Sequence, residues 1–287
     1  MSLLRNFQPY LRLIRFDKPV GTWLLLWPGW CGLAFSTAHG LPDPLLIAKF
    51  GLGAFLMRSS GCIINDMWDV KYDSKVMRTK LRPLACKELS RGQALGFLAL
   101  TLSGSLAILL TLNSMAIMMG CASLSLVISY PYMKRITYWP QGVLGLAMNY
   151  GFLMGCTAVN HSLPLSALPI YLSLAFWTVY YDTIYAYQDI SDDKLLGLKS
   201  TSIKFEHNPK RFLSMCASLS ISGLIFSGLL SGQSIPYYLA VGSMGLTMTS
   251  QVLAFDKHNK ELCGKMFLQN TRLGALLCAG IIASNLY

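Results

Sequence analysis

Long apolar stretches separated by shorter polar ones make up most of this chain of 287 residues. Nine of these stretches are long enough to cross a bilayer as an α-helix, which takes about 20 residues. The predicted spans are residues 20–38, 43–64, 93–112, 115–133, 139–159, 164–185, 212–230, 234–254 and 267–286. The pattern therefore predicts an all-α membrane protein in which residues 1–287 form one domain, a bundle of nine transmembrane helices.

Composition supports a protein embedded in a lipid bilayer. The chain is 53% hydrophobic and 13% charged, whereas about 25% of a typical soluble domain is charged. Its mean hydropathy is +0.46. The 8 cysteines are scattered without a C-x-x-C pair, and the 4 histidines are isolated. This excludes a disulfide framework and a zinc site based on these residues.

The basic residues indicate how the bundle is oriented. Under the predicted topology, 22 of the 24 Lys and Arg residues lie on one side, in every second connection and in the N-terminal arm (Arg5, Arg12, Arg15, Lys18). The connections on the other side have none; they are residues 37–42, 111–114, 160–163 and 231–234. By the positive-inside rule the basic side faces the cytoplasm or the mitochondrial matrix, and the C-terminus lies opposite. The net charge of +11 is then explained by membrane orientation and by binding of an anionic ligand. Because the basic residues lie at the membrane boundary, no nucleic-acid partner is predicted.

Acidic residues are few, and 7 of the 13 lie in two clusters. The clusters are Asn65, Asp66, Asp69 and Asp73, at the end of the second span, and Asp182, Asp189, Asp192 and Asp193, at the end of the sixth. Spacings of three, four and seven residues place side chains on one face of a helix. Crowded carboxylates repel one another, and Mg²⁺ carrying a phosphorylated ligand relieves that repulsion. The alternative is a pair of solvated helix ends, which the matching membrane depth of the two clusters disfavours.

Two charged residues lie within predicted spans. Arg58 precedes Asn65 by seven residues and shares its helix face, and Asp182 precedes Asp189 by the same distance. A charge inside a membrane span is costly and is functional by default. Arg58 therefore suits a small anionic substrate, and an ion pair between Arg58 and Asp182 is the alternative.

Several motifs carry a family resemblance. Arg58-x-x-Gly61-Cys62-x-x-Asn65-Asp66-x-x-Asp69-x-x-x-Asp73 resembles the first motif of the UbiA superfamily of intramembrane aromatic prenyltransferases. Similar elements of that family are matched by Asp17-Lys18-Pro19-x-Gly21-Thr22-Trp23, Arg78-Thr79-x-x-Arg82-Pro83, Tyr130-x-x-x-Lys134, Tyr181-Asp182-Thr183, Asp189-x-x-x-Asp193 and Gly197-x-Lys199-Ser200-Thr201. The runs Ile64–Asp69 and Tyr138-Trp139-Pro140-Gln141 are more similar to mitochondrial members than to bacterial ones. One departure is Cys86-Lys87, where the family usually has a small residue and Gly. Loss of a Gly can change the backbone path of a loop, so the sequence leaves the shape of this loop open but not its chemistry.

The resemblance implies a bundle around a central cavity and an Mg²⁺-dependent reaction. An all-trans polyprenyl diphosphate would alkylate 4-hydroxybenzoate on the ring carbon next to the phenol, as in ubiquinone biosynthesis. The implied catalytic residues are Asp66, Asp69, Asp73, Asp182, Asp189 and Asp193, of which Asp69, Asp73, Asp189 and Asp193 would bind the metal. The implied substrate-binding residues are Arg58 for the acceptor carboxylate, Arg78, Arg82 and Lys134 for the diphosphate, and Asn65 and Tyr130 for positioning metal or diphosphate. Lys199 is implied as a substrate-binding residue without a more specific role.

Alternatives remain open from sequence. Another acceptor, such as homogentisate, naphthoate or a haem vinyl group, depends on pocket shape that residues alone do not define. A cation-coupled transporter with buried carboxylates is the rival from a different class. The expected location is the mitochondrial inner membrane with the site facing the matrix, or a bacterial inner membrane with the site facing the cytoplasm. The sequence assigns no oligomeric state.

Overall fold

The structure is a computed structural model that describes residues 2–287, with side chains described from Phe7 onward. Arg5, counted above on the basic side, lies outside the described side chains. Within the described residues every regular element is a helix. The helices are α1 (Ser2–Leu13), α2 (Val20–Ser36), α3 (Pro44–Asp73), α4 (Arg91–Leu109), α5 (Ser114–Ile136), α6 (Pro140–Asn160), α7 (Ala167–Ala186), α8 (Ile190–Leu195), α9 (Thr201–Lys204), α10 (Pro209–Leu230), α11 (Ile235–Ala254) and α12 (Lys260–Asn285).

All nine apolar stretches form helices, and six of them are candidate membrane spans by length and hydropathy: α3, α4, α5, α6, α10 and α12. The all-α prediction is confirmed for the residues that the structure describes. The number of crossings stays a prediction at nine, because α2, α7 and α11 are not among the six. Two boundaries were wrong: α3 continues nine residues past the predicted end at residue 64, and α12 begins at Lys260 instead of residue 267.

Local signals explain where the cavity-forming helices begin. Asp43 caps α3 by accepting a hydrogen bond from the Leu45 N–H at 2.8 Å, with Pro44 in the first turn. Ser90 and Gln93 form a reciprocal capping box at the start of α4, which satisfies backbone donors that a helix start leaves free. The extension of α3 to Asp73 follows because intrahelical hydrogen bonds continue in polar residues beyond the apolar stretch.

Connections without basic residues meet at one end of the bundle. The Asn113 amide donates to the Thr157 and Ala158 carbonyls at 2.9 Å each. The Asn285 amide donates to Ala34 O at 2.7 Å, so the C-terminal helix ends beside the end of α2. The predicted grouping of these connections, with the C-terminus among them, is therefore present in the structure.

Close helix contacts hold the core together. A Cβ built on Gly32 of α2 would lie 2.1 Å from Phe152 O, and one on Gly155 of α6 would lie 2.6 Å from Gly29 O. Small residues allow helices in membranes to approach until their backbones touch. The largest buried cluster joins α2, α6, α7, α10, α11 and α12. A second cluster joins α1, α3, the 74–90 loop and α4.

Candidate active site

One cavity of about 1430 Å³ opens at the basic end and extends into the bundle. Its walls come from the end of α1, from the segment 15–19 that follows it, and from α2 to α7 and α12. The two long connections, residues 74–90 and 187–208, complete the walls. All thirteen candidate residues from the sequence line it: Arg58, Asn65, Asp66, Asp69, Asp73, Arg78, Arg82, Tyr130, Lys134, Asp182, Asp189, Asp193 and Lys199. The structure thus brings both acidic clusters, which are more than 100 residues apart in the chain, to one site.

The first acidic cluster is buried and held by arginines. Asp66, Asp69 and Asp73 are 1%, 3% and 7% exposed, so their charge requires nearby partners. Arg15 donates to both Asp66 oxygens, at 2.7 and 2.9 Å. Arg82 donates to Asp66 Oδ1 at 3.1 Å and to Asp73 Oδ2 at 2.8 Å, so one guanidinium joins two turns of α3.

Asp69 contacts the end of α5. Lys134 Nζ donates to its Oδ2, and Arg135 Nη2 lies 3.6 Å from its Oδ1. That Oδ1 atom is buried and accepts no hydrogen bond from the residues that the structure describes. A buried carboxylate oxygen in this state retains capacity to bind a further cation.

Asp189 connects the second acidic cluster to the 74–90 loop, which follows the first cluster. Arg78 Nε donates to Asp189 Oδ1 at 2.9 Å, and Arg78 Nη1 donates to the Tyr185 hydroxyl at 3.0 Å. Burial disfavours the guanidinium charge, but the hydrogen bond to Asp189 and the charges of Tyr185, Asp189 and Asp73 outweigh it. Together they raise the pKa of Arg78 above its ordinary value. Arg78 therefore remains a cation at this site.

Asp193 lies one helical turn after Asp189, and its N–H donates to Asp189 O at 2.9 Å. Burial, followed by the neighbouring Asp189 carboxylate, raises the pKa of Asp193 to about 6. Among the described residues it forms no ion pair within 4.0 Å. Its carboxylate is therefore short of positive charge in this arrangement.

Lys199 ties the second connection to the end of α5. Its N–H donates to Lys134 O at 2.7 Å and its Nζ donates to Ile136 O at 3.1 Å. Lys199 thus holds the backbone of Lys134 in place. The ammonium group of Lys199 is hydrogen-bonded to the Ile136 carbonyl and does not contact a carboxylate within the described part of the chain.

Arg58 and Asp182 lie deeper in the cavity. Asp182 lies near Arg58 and Gln141, but the described side chains include no ion pair of Arg58 within 4.0 Å. The direct Arg58–Asp182 pair, which was the alternative from sequence, is therefore not formed. Gly21 lies against the guanidinium, since a Cβ built on it would be 2.5 Å from Arg58 Nε and Nη2.

Asn65 and Tyr130 also line the cavity, on α3 and α5 respectively, and neither side chain donates a hydrogen bond within the described part of the chain. Both are half-buried. Their polar atoms are available to a ligand, which is compatible with a positioning role.

The carboxylate oxygens of the site suit a hard divalent cation, but their positions in the structure do not form a set of metal ligands. Within the described residues no three Asp, Glu, His or Cys side chains come close enough to hold one metal ion. Carboxylate oxygens are the ligands that Mg²⁺ prefers, and Asp69 Oδ1 and Asp193 both lack a full set of partners. The residues therefore fit Mg²⁺ in chemistry, while the present arrangement pairs most of them with arginine or lysine.

Four residues that contact the candidate site were not predicted as members of it. Arg15 and Arg135 pair with Asp66 and Asp69. Tyr185 binds Arg78, and Gln141 accepts a hydrogen bond from the Thr201 N–H at 3.0 Å. Arg15 lies two residues before the Asp17-Lys18-Pro19 element, and Gln141 is the last residue of the Tyr138-Trp139-Pro140-Gln141 run. Their closeness to these two motifs could have identified both as candidate site residues.

The departure at Cys86-Lys87 has a clear structural form. Lys87 has φ of 63°, a left-handed conformation that favours glycine. The backbone thus adopts there a conformation that Gly adopts readily. The substitution instead leaves a lysine in a strained conformation.

Comparisons with known proteins agree with this geometry. Residues 25–275 match the UbiA prenyltransferase family. The chain is 47% identical over 288 residues to the 4-hydroxybenzoate polyprenyltransferase, mitochondrial, of Rattus norvegicus, covering 100% of this chain and 77% of the relative. The apo structure of a UbiA homolog from Aeropyrum pernix K1 superposes with a TM-score of 0.78 at 19% identity, covering 91% of this chain and 97% of the other. A UbiA homolog from Archaeoglobus fulgidus bound to GPP and Mg²⁺ superposes with a TM-score of 0.75 at 19% identity, covering 96% and 99%.

At 19% identity these two structures establish the fold alone, whereas the family match extends over most of the chain and the rat relative over all of it. The motifs that first suggested the resemblance lie around one cavity. The chain belongs to the UbiA prenyltransferase family.

Proposed function

We propose that this protein is a 4-hydroxybenzoate polyprenyltransferase that uses Mg²⁺. The observation that carries the proposal is the single cavity, in which both acidic clusters and their cations lie at the basic end while apolar side chains line the interior. The apolar walls include Leu102, Leu106, Leu109, Val127 and Met154. A molecule with a diphosphate head and a long prenyl tail has this same distribution of polarity.

Binding of the diphosphate rests on cations that the structure holds beside the carboxylates. Arg78, Arg82 and Lys134 each contact an Asp side chain, and each can donate to phosphate oxygens instead. Their transfer to the phosphate would free Asp69, Asp73 and Asp189 to bind metal beside Asp193, which forms no ion pair with a described residue. Mg²⁺ would then neutralise the developing charge of the leaving group, as the GPP- and Mg²⁺-bound relative from Archaeoglobus fulgidus supports.

Arg58 and Asp182 are proposed to bind the aromatic acceptor. The Arg58 guanidinium lies in the cavity wall without an ion pair among the described residues, and it suits the carboxylate of 4-hydroxybenzoate. Asp182 would accept a hydrogen bond from the phenol and keep electron density on the ring. The apolar walls exclude water, which would otherwise quench the allylic cation.

A transporter is less well supported by the far end of the cavity. The one acidic residue that the sequence places on the non-basic side is Asp43, and its side chain caps α3 through the Leu45 N–H. It is therefore used for structure and is not placed along a path for ions.

The rat relative is named mitochondrial, which supports a location in the mitochondrial inner membrane with the site facing the matrix. A bacterial inner membrane with a cytoplasmic site is the alternative.

The direct test is a prenyl-transfer assay with the purified protein, radiolabelled 4-hydroxybenzoate, a polyprenyl diphosphate and Mg²⁺. Product should form with Mg²⁺, disappear with EDTA and return when Mg²⁺ is added back. Full activity after removal of all divalent metal would overturn the metal part of the proposal. Transfer to homogentisate or naphthoate in preference to 4-hydroxybenzoate would overturn the acceptor.

Two matched variants extend the assay to the site residues. Asp189→Asn removes a proposed metal ligand, whereas Asp192→Asn changes an Asp in α8, the helix that directly follows Asp189, and Asp192 does not line the cavity. The first should lose about 100-fold or more of kcat, in line with loss of charge stabilisation of a transition state, and the second should stay near wild type. Equal losses in both variants would contradict a specific metal-binding role of Asp189, because any negative charge in this segment would then have the same effect.

A further inference from the structure

A second cavity, of about 630 Å³, lies on the outside of the bundle between the basic ends of α3, α4 and α5. Three cations from three different segments line it: Lys71, Arg91 and Arg135. Trp68 and Tyr72 form aromatic walls. No carboxylate lines it among the residues that the structure describes, so its electrostatic character is strongly positive.

The three cations have few ion-pair or hydrogen-bond partners among the described residues. Lys71 and Arg91 are exposed, and neither forms an ion pair with a described residue. Arg135 stacks over the Tyr72 ring at 5.3 Å and lies 3.6 Å from Asp69 Oδ1. Its Nε is buried and donates no hydrogen bond within the described part of the chain. An unpaired buried donor is costly, and an anion at this position would accept from it.

The second cavity also lies at the depth of a membrane interface. Trp68 is 46% exposed and packs edge-on against Tyr132, with 4.8 Å between ring centroids. Tryptophan and tyrosine mark the headgroup region of a bilayer. Below the cations the wall is apolar and includes Met67, Val70 and Leu98, which suits an acyl chain.

We propose that the second cavity binds the phosphate group of an anionic membrane phospholipid. Basic pockets between membrane helices on the cytoplasmic or matrix side bind such headgroups. The phosphate would contact Lys71, Arg91 and Arg135, and the acyl chains would follow the apolar wall. This site is separate from the proposed substrate site, although Tyr72 and Ile64 contribute to the walls of both cavities.

Lipid binding to the purified full chain in neutral detergent tests the proposal, by native mass spectrometry with phosphatidylglycerol and phosphatidylcholine. Wild type should bind one phosphatidylglycerol in preference to phosphatidylcholine. The double variant Lys71→Gln/Arg91→Gln should bind phosphatidylglycerol about 30-fold more weakly, given the usual contribution of two cations at a membrane surface. Because neither residue lines the substrate cavity, the variant should keep prenyl transfer in neutral detergent, which shows that it folds.

The control variant Lys75→Gln/Lys260→Gln removes two exposed positive charges from the same end of the molecule but outside the second cavity. It should retain wild-type preference for phosphatidylglycerol. Equal weakening in both double variants would overturn the proposal, because general attraction to the basic surface would then explain binding. Inorganic phosphate distinguishes the source of the anion. Displacement of phosphatidylglycerol by millimolar phosphate would show a soluble ligand and would overturn the lipid assignment, whereas persistence of the lipid supports it.

Discussion

Each buried carboxylate at the end of α3 contacts a cation from outside that helix. Asp66 is bound by Arg15 and Arg82, and Asp69 by Lys134. Breaking one such pair leaves an uncompensated buried charge. Under the proposed function the site residues would serve two states of the protein. In one they neutralise one another, and in the other they would divide between metal and diphosphate.

Arg58 differs from these cations because no described acid pairs with it. Replacement by alanine should raise the KM for 4-hydroxybenzoate, by an amount equivalent to about 2–5 kcal/mol, the usual cost of losing one partner of a buried charged contact. Binding of the prenyl diphosphate should be nearly unchanged. Steady-state kinetics with each substrate varied in turn measures both, and a loss confined to the diphosphate would exclude the acceptor role.

Gly21 offers an independent check on Arg58. Gly21→Ala places a Cβ within 2.5 Å of the guanidinium, which must move while the backbone stays in place. The same KM should rise, although less than in Arg58→Ala. Gly53→Ala is the matched control, since its Cβ would be 3.9 Å from Ile108 in ordinary contact within the same cavity.

Lys87 should be more costly than glycine at its position. A non-glycine residue held in the left-handed region costs about 1–3 kcal/mol, and this exceeds the entropic cost of a glycine, about 0.5–1 kcal/mol. Lys87→Gly should therefore raise the thermal unfolding midpoint of the detergent-solubilised protein. Lys80→Gly, at a loop residue without positive φ, should lower it, and a lower midpoint for both variants would refute the strain argument.

Among the helices, the contact of α2 with α6 depends on small side chains. Gly32→Ala would place a Cβ 2.1 Å from Phe152 O, a backbone atom that cannot rotate away. Overpacking of this kind costs about 1–3 kcal/mol. Thermal unfolding should detect the loss, while Gly142→Ala on α6, whose Cβ would meet nothing within 4 Å, should be neutral or slightly stabilising.

The helices were largely predictable because their signal is local. Apolar stretches of about 20 residues gave all nine long helices after α1, and the Asp66, Asp69 and Asp73 spacing gave one face of α3. The predicted span ended at residue 64, because hydropathy marks the apolar part of a helix and not its hydrogen-bonded end; only the Asp spacing indicated that the helix continues to Asp73. Residue pairs such as Arg78 with Asp189, which are 111 positions apart, have no signature in local spacing and depend on tertiary packing.

At the scale of the whole molecule, both acidic segments should be reached from one side of the membrane. Cysteines placed at Ser74 and Ser191, in a background without native cysteines, should react with a membrane-impermeant thiol reagent from the basic side only. Both are exposed in the structure. Prenyl diphosphate with Mg²⁺ should protect both together, since one ligand would contact both connections.

The variants Asp69→Asn and Asp189→Asn should each abolish the shared protection, because each removes a proposed ligand of the same metal site. Asp192→Asn should leave it intact. Labelling from opposite sides, or protection of one segment alone, would contradict a single pocket and favour the transporter.

Two long helices stand apart from all of this chemistry. Within the described residues, α10 and α11 contribute no side chain to the substrate cavity; they pack behind α7 and α12. We therefore expect substitutions in these two helices to be limited by packing and by contact with lipid, and not by contact with the substrate. A search for the residues that separate one acceptor from another across the family belongs in α2 to α7 and α12, and divergence in α10 and α11 gives a baseline of drift against which that selection can be measured.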